Sequence, residues 1–262
     1  MATIYGTNGA DALRGTASAD AIFGFWGDDS ISGGNGRDFI HAGNGSDTID
    51  GGFGLNVIDG EGGFDLVLYS DVISPIWADL RSGAVSFSRP DGAGDSLLNV
   101  EALDGGSGRD TFTGNGAGNL FRGNAGNDKL VGNIGSDTLV GGVGNDGLDG
   151  GNGQDSLVGG FGNDTMQGGL HEDIFFIGPI VRLQDPFTLA LVDFGRDVID
   201  GGAGIDTLAI DGPATFLEDI DSAGSGLGED YGAPPVRANL GRGTLRIGDS
   251  ANRSTLISIE NI

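Results

Sequence analysis

The sequence contains no cysteine, so a disulfide framework, a thiolate zinc site and a cysteine nucleophile are all excluded. Histidine is nearly absent too: His41 and His171 stand alone and leave little for a transition metal. Lysine and arginine together number 13 against 38 aspartates and glutamates. The resulting formal charge of −25 removes nucleic acid and anionic membrane from the electrostatically favoured partners. Cations are what such a chain attracts. No segment approaches the length needed to span a bilayer, and the opening MATIYGTNGADALRG has neither the basic flank nor the apolar stretch of a secretory signal, so a cleavable leader is not expected. The chain is instead rich in glycine, 54 of its 262 residues, and in aspartate, with few aromatics, which is not the composition of a close-packed enzyme.

These residues are organised by a nine-residue step. It begins at Gly6 and runs through Gly15, Gly24, Gly33, Ala42, Gly51 and Gly60. It resumes at Gly105 and passes through Gly114, Gly123, Gly132, Gly141, Gly150, Gly159 and Gly168, and a weaker pair starts at Val192 and Gly201. Across the seventeen units the first position is Gly in fifteen, the sixth is Asp in fifteen and the eighth is always apolar. The sixth column reads Asp11, Asp20, Asp29, Asp38, Asp47, Asn56 and Asp65, then Asp110, Asn119, Asp128, Asp137, Asp146, Asp155, Asp164 and Asp173, and finally Asp197 and Asp206. All seven prolines fall outside the repeats, as expected if backbone donors are needed within them.

The pattern G-G-x-G-x-D-x-U-x, cleanest in GGNGRDFIH at Gly33, GGVGNDGLD at Gly141, GGNGQDSLV at Gly150 and GGFGNDTMQ at Gly159, resembles the repeats-in-toxin family of hemolysin-type calcium-binding nonapeptides. The residue types suit that chemistry. Three residues of period-two character make a short strand with one apolar side chain turned inward, and the other six must turn. Glycines supply positive φ and let carbonyl oxygens approach an ion, to which the Asp adds a carboxylate. Oxygen ligands in flexible geometry suit Ca²⁺ better than Mg²⁺, which demands a tighter octahedron and retains its waters. The candidate metal ligands are therefore the sixth-column aspartates together with the backbone at Gly34, Gly36, Gly142, Gly144, Gly151, Gly153, Gly160 and Gly162.

Two units make a coil of eighteen residues, so repeats n and n+2 stack, and the expected fold is an all-β parallel β-roll, a β-solenoid. The resemblance places each ion between stacked turns. Asp11, Asp29, Asp47 and Asp65 then line one edge of the first array, with Asp20, Asp38 and Asn56 on the other. In the second array the edges are Asp110, Asp128, Asp146, Asp164 and Asn119, Asp137, Asp155, Asp173. Complete stacking would hold up to about eleven Ca²⁺, offsetting roughly 22 negative charges. Departures at Asn56, Asn119, Ser18 and Ala117 predict that fewer sites fill. Ordering nine glycine-rich residues costs several times what burying one Leu or Ile returns, so the ion-free chain is expected to be largely disordered.

This reading divides the chain into a first roll over residues 1–68, a β-rich connector over 69–104, a second roll over 105–176, and a region 177–262 holding the short repeat pair 192–209 and a C-terminal cap. The connector and the cap resemble one another: Ile76-Trp-Ala-Asp-Leu80, Val85-Ser-Phe87 and Leu97-Leu-Asn-Val-Glu101 match Val236-Arg-Ala-Asn-Leu240, Leu245-Arg-Ile247 and Leu256-Ile-Ser-Ile-Glu260. Within the connector Trp77 and Tyr69 are the candidates for a ligand-stacking platform.

Catalysis is not expected. The carboxylate pairs are periodic, no Ser-His-Asp arrangement is visible, and the first repeat starts at Gly6, ahead of which there is no room for the catalytic domain that family members often carry. The resemblance implies an extracellular protein exported by type I machinery, without a cleaved leader, serving in adhesion, matrix or recognition of an unidentified surface or polysaccharide. Two other readings stand beside it: a membrane-active or channel-forming protein, by likeness to small rhizobial nodulation-type secreted proteins made mostly of repeats, and a structural fragment of a larger adhesin.

Overall fold

The computed structural model describes residues 1–87 and 94–177, and beyond them the strand segments 198–203, 207–210, 236–239, 244–248 and 253–257. The chain winds as a parallel β-solenoid of two facing sheets with a core between them. No helix among the described residues is long and apolar enough to cross a membrane.

The first sheet contains β1 (Thr3–Tyr5), β3 (Ala21–Trp26), β5 (Phe39–Gly45) and β7 (Val57–Gly63), then β11 (Ser96–Leu98), β10 (Ala84–Phe87) and β9 (Ile76–Asp79). It continues through β13 (Thr111–Thr113), β15 (Lys129–Ile134), β17 (Gly147–Asn152), β19 (Thr165–Leu170) and β21 (Val198–Ala203) to β25 (Arg253–Ile257), β24 (Thr244–Gly248) and β23 (Val236–Asn239). The second sheet runs β2 (Ala12–Arg14), β4 (Ser30–Ser32), β6 (Thr48–Asp50), β8 (Leu66–Leu68), β12 (Ala102–Asp104), β14 (Leu120–Ala125), β16 (Thr138–Val143), β18 (Ser156–Phe161), β20 (Ile174–Ile177) and β22 (Thr207–Ile210).

Parallel pairing joins residues one coil apart, Ile22 with Ile40 and Ile40 with Ile58 in the first sheet, Leu139 with Leu157 in the second. The eighth-position side chains from Ile22 to Phe175 are buried, because the strand pleat sends that position inward and its two neighbours outward. The register is thus fixed by the apolar column itself: a one-residue slip would put every Ile and Leu into solvent.

The segment between the two arrays lies within the roll. In the first sheet it contributes an antiparallel meander, β9–β10–β11, entered in parallel from β7 (Leu97 opposite Ile58) and left in parallel through β13 (Ala78 opposite Phe112). In the second sheet it contributes β12 alone, with Leu103 between Val67 and Phe121. Three strands therefore face one, and bulk fills the interior. Phe112 and Phe121 stand where most coils carry an aliphatic residue and meet edge to face at 5.7 Å, while Tyr69 packs on Phe87 at 5.4 Å. Tyr69 is buried and its hydroxyl donates to Asp95 Oδ2 at 3.2 Å, so its ring is core, and of the two stacking candidates Trp77 alone is exposed. The sequence likeness of the C-terminal region to this connector has a structural counterpart: β25 pairs in parallel with β21, Leu256 opposite Ile199, and β24 and β23 follow antiparallel.

Candidate metal centre

Successive turns stack directly above one another along the two edges of the roll. The turn Gly141-Gly-Val-Gly-Asn-Asp146 sits between those ending at Asp128 and Asp164. Gly126 N–H donates to the Val143 carbonyl and Gly144 N–H to that of Phe161, each at 2.8 Å. The second and fourth positions hold left-handed backbone. Gly34, Gly36, Gly142, Gly144, Gly151, Gly153, Gly160 and Gly162 all have φ between +93° and +147°, and His171, standing where the repeat has glycine, keeps φ at +86°. A Cβ on Gly33 would lie 2.6 Å from the Gly51 carbonyl oxygen and 2.8 Å from Asp38 Oδ2; one on Gly141 would lie 2.6 Å from the Gly159 carbonyl oxygen and strike Asp146 Oδ2. First-position glycines such as Gly33 and Gly141 thus leave open a space that a neighbouring carbonyl and the turn's own carboxylate both face.

The two carboxylate oxygens of each sixth-column Asp have different surroundings. Oδ1 accepts from the backbone N–H of the corresponding residue one coil earlier: Asp29 from Asp11, Asp38 from Asp20, Asp47 from Asp29, Asp128 from Asp110, Asp137 from Asn119 and Asp146 from Asp128, at 2.7–2.8 Å. Asp164 and Asp173 accept likewise from Asp146 and Asp155. Among the described residues, Oδ2 of Asp29, Asp38, Asp47, Asp65, Asp128, Asp137, Asp146 and Asp155 is buried and has no hydrogen-bond partner. A buried carboxylate oxygen left alone is costly, and native structures leave few. The cradle fits an ion: its donors are all oxygen, hard and anionic or carbonyl, with room that a side chain would fill.

Burial carries an electrostatic penalty here. Desolvation first, then neighbouring carboxylates, push the Asp65 and Asp128 carboxyls up to about 7 and those of Asp137 and Asp146 up to about 6. Burial also raises Asp29, Asp38, Asp47, Asp110 and Asp155, against the pull of the backbone N–H donors. A divalent cation facing Oδ2 reverses this balance by favouring the ionised form.

The N-terminal coil differs. Oδ2 of Asp11 accepts from Thr7 N–H at 2.5 Å and Thr7 Oγ1 at 2.9 Å, and Oδ2 of Asp20 from both Thr16 groups at 2.7 Å. The Asp20 carboxyl is accordingly held below its ordinary value, by the Ala2 N–H and then the Thr16 hydroxyl. Threonine at the second repeat position closes this end with protein donors. Asp110 Oδ2 accepts from Gly106 N–H at 3.0 Å. Asn56 keeps the Oδ1 contact, accepting from Asp38 N–H at 3.0 Å, whereas Asn119 Oδ1 accepts from Asn115 N–H in its own turn at 3.0 Å and its amide donates to the Glu101 carbonyl at 3.2 Å. Asp197 and Asp206 lie outside the described residues.

Two acids that the nine-residue step misses join the column. Asp95 Oδ1 accepts from Asn56 N–H at 2.8 Å and Glu101 Oε2 from Asp65 N–H at 3.0 Å. The signal for them is present: Asp95-Ser-Leu-Leu and Glu101-Ala-Leu-Asp each place an acid two residues before a buried Leu, as most repeats place an Asp two residues before an apolar residue.

No curated protein matches the chain. Among solved structures the chain is similar to the extracellular lipase LipA from Serratia marcescens, at 17% identity with a TM-score of 0.20, and it spans 38% of that lipase's length with 99% of its own. A superposition that poor carries no argument. The family model for the RTX calcium-binding nonapeptide repeat matches residues 5–40, 32–67, 101–129, 113–148, 149–178 and 193–208, more than half of the sequence. Periodicity, coil register and an oxygen-lined turn stack agree with that match, and the chain belongs to the RTX calcium-binding nonapeptide repeat family.

Proposed function

We propose that this is a secreted calcium-binding β-roll that winds up when it meets extracellular Ca²⁺ and then serves as an adhesion, matrix or recognition module. The ions would be held between stacked turns by the Oδ2 oxygens of Asp29, Asp38, Asp47, Asp65, Asp128, Asp137, Asp146 and Asp155, with carbonyls of the glycine turns completing the shell. The single observation that carries this reading is the column of buried carboxylate oxygens without a hydrogen-bond partner. Calcium modules of extracellular type bind at about 10⁻⁴–10⁻³ M, which matches calcium outside cells and lies far above cytosolic levels. The chain would then stay unwound until exported, as type I export requires of its cargo. The repeats are structural, calcium-binding units, and no catalytic role is assigned.

Circular dichroism and protease resistance, followed during a calcium titration of chelated protein, test the proposal. A cooperative gain of β-signal and of resistance near millimolar calcium is expected; a chelated sample that keeps both would overturn it.

The membrane-active reading is favoured by one observation, the exposed rings of Tyr5, Phe25, Trp26 and Phe39 near the N-terminal coils. Leakage from liposomes with and without calcium separates the two. Calcium-dependent leakage supports the membrane reading, and intact vesicles support the recognition module.

A further inference from the structure

We infer that His41, Asp59 and Glu61 form a second kind of metal centre, on the outer face of the first sheet, suited to a single divalent transition ion such as Zn²⁺. Their ligand atoms all lie within 4.8 Å of one another. His41 Nδ1 is 3.2 Å from Glu61 Oε1, close to the separation of about 3.3 Å that a tetrahedral ion with bonds of roughly 2.0–2.1 Å imposes on neighbouring ligands.

The fold presets this group. His41 and Asp59 are direct partners in the parallel pairing of β5 and β7, and Glu61 lies opposite Gly43 one step along. The imidazole lies flat against Phe23, centroids 5.2 Å apart and planes within 3°, which fixes its orientation. Asp59 Oδ1 accepts from the Asn99 side-chain amide at 2.8 Å and from Glu61 N–H at 3.1 Å. Asn99 comes from a different part of the chain, and by holding Oδ1 it fixes the orientation of the Asp59 carboxylate, the supporting contact typical of ligating carboxylates. Glu61 takes φ +66° at a repeat position otherwise given to glycine in the neighbouring coil, so a carboxylate appears where the repeat provides none.

The donor set separates this centre from the turn cradles. An imidazole nitrogen with two carboxylates suits Zn²⁺ or a neighbouring first-row ion, whereas the cradles offer oxygen alone. Three protein ligands leave open positions for water or an exogenous group. Scarcity of histidine argues against transition metals at the level of composition; placement of one histidine in register with two acids argues for this one. The inference does not depend on the calcium reading, since it uses none of the turn carboxylates: His41 and Asp59 stand at outward strand positions, and Glu61, whose backbone opens a turn, has an exposed side chain.

The test is a Zn²⁺ titration of the full chain at saturating Ca²⁺, followed by calorimetry, with Co²⁺ absorbance as a second probe. One Zn²⁺ per chain is expected, with Co²⁺ giving a visible band that Zn²⁺ displaces. His41→Ala and Asp59→Asn should abolish uptake, Asn99→Ala should weaken it by about 10- to 100-fold, and His171→Ala should leave it unchanged. The calcium-dependent circular dichroism of each variant reports separately on the roll. Absence of uptake by the parent chain, uptake that survives His41→Ala, or loss in His171→Ala would overturn the inference.

Discussion

Replacing Asp128 by Asn should change stability in opposite directions with and without calcium. In the fold the Asp128 carboxyl is buried and raised to about 7, against an ordinary 3.8 in the unfolded chain. At 1.36 kcal/mol per unit, that interval is a cost on the order of 4 kcal/mol to the ion-free roll near neutral pH. The amide keeps the Oδ1 contact to Asp110 N–H at 2.7 Å, as Asn56 keeps its contact with Asp38 N–H, and carries no charge to desolvate. The sign follows from the raised value. Stabilisation of the ion-free roll by such acids is complete below about pH 4 and is lost as pH rises from there through about 7. In chelator, then, acidification should bring back β-signal, and Asp128→Asn should move that transition to higher pH. In calcium the same substitution removes an anionic ligand and should move the calcium midpoint to higher concentration. Circular dichroism under both conditions checks this. A variant destabilised in both, or unchanged in calcium, would refute the reasoning.

In acid, where protonation lets the ion-free roll persist, calcium must displace protons from Asp65 and Asp128, so uptake at about pH 5.5 should release protons that uptake near pH 7.5 does not, read by calorimetry in buffers of different ionisation heat. Gly144→Ala should be severely disruptive, since at φ +147° its Cβ would run into the Gly126 carbonyl, whereas Gly147→Ala, in strand conformation with nothing nearer than 3.9 Å, should be close to neutral in a calcium-saturated melt. Phe112→Ala, at the junction where three strands face one, should cost about 3–5 kcal/mol by chemical denaturation in calcium, independently of any ion ligand.

Much of the architecture was readable from spacing. A column that is always apolar and a period of nine define which residues face inward and which coils pair, and Ile22, Ile40 and Ile58 are buried and paired accordingly. Less legible was why position six tolerates Asn. The answer is that Oδ1 serves the backbone and only Oδ2 faces the cradle, a division that exists only once coils are stacked. The place of Asp95 and Glu101 escaped because the meander breaks the count between them and the preceding repeats, although each retains the local acid-x-Leu spacing. His41 and Glu61 are twenty residues apart, two more than a coil, so the periodicity that groups the aspartates separates them. The closure by Thr7 and Thr16 depends on hydroxyl reach, which composition does not show.

The backbone-to-Oδ1 contacts all point one way, and this gives the roll a polarity. Each winding has its amide satisfied by the carboxylate of the winding that follows it in sequence. Peeling from the N-terminal end bares a carboxylate oxygen, whereas peeling from the other end bares a backbone N–H, and water meets either once the layer is exposed. The two faces of any layer thus differ, carboxylate acceptors toward the early residues and amide donors toward the late ones, so a further winding can add only in the same sense.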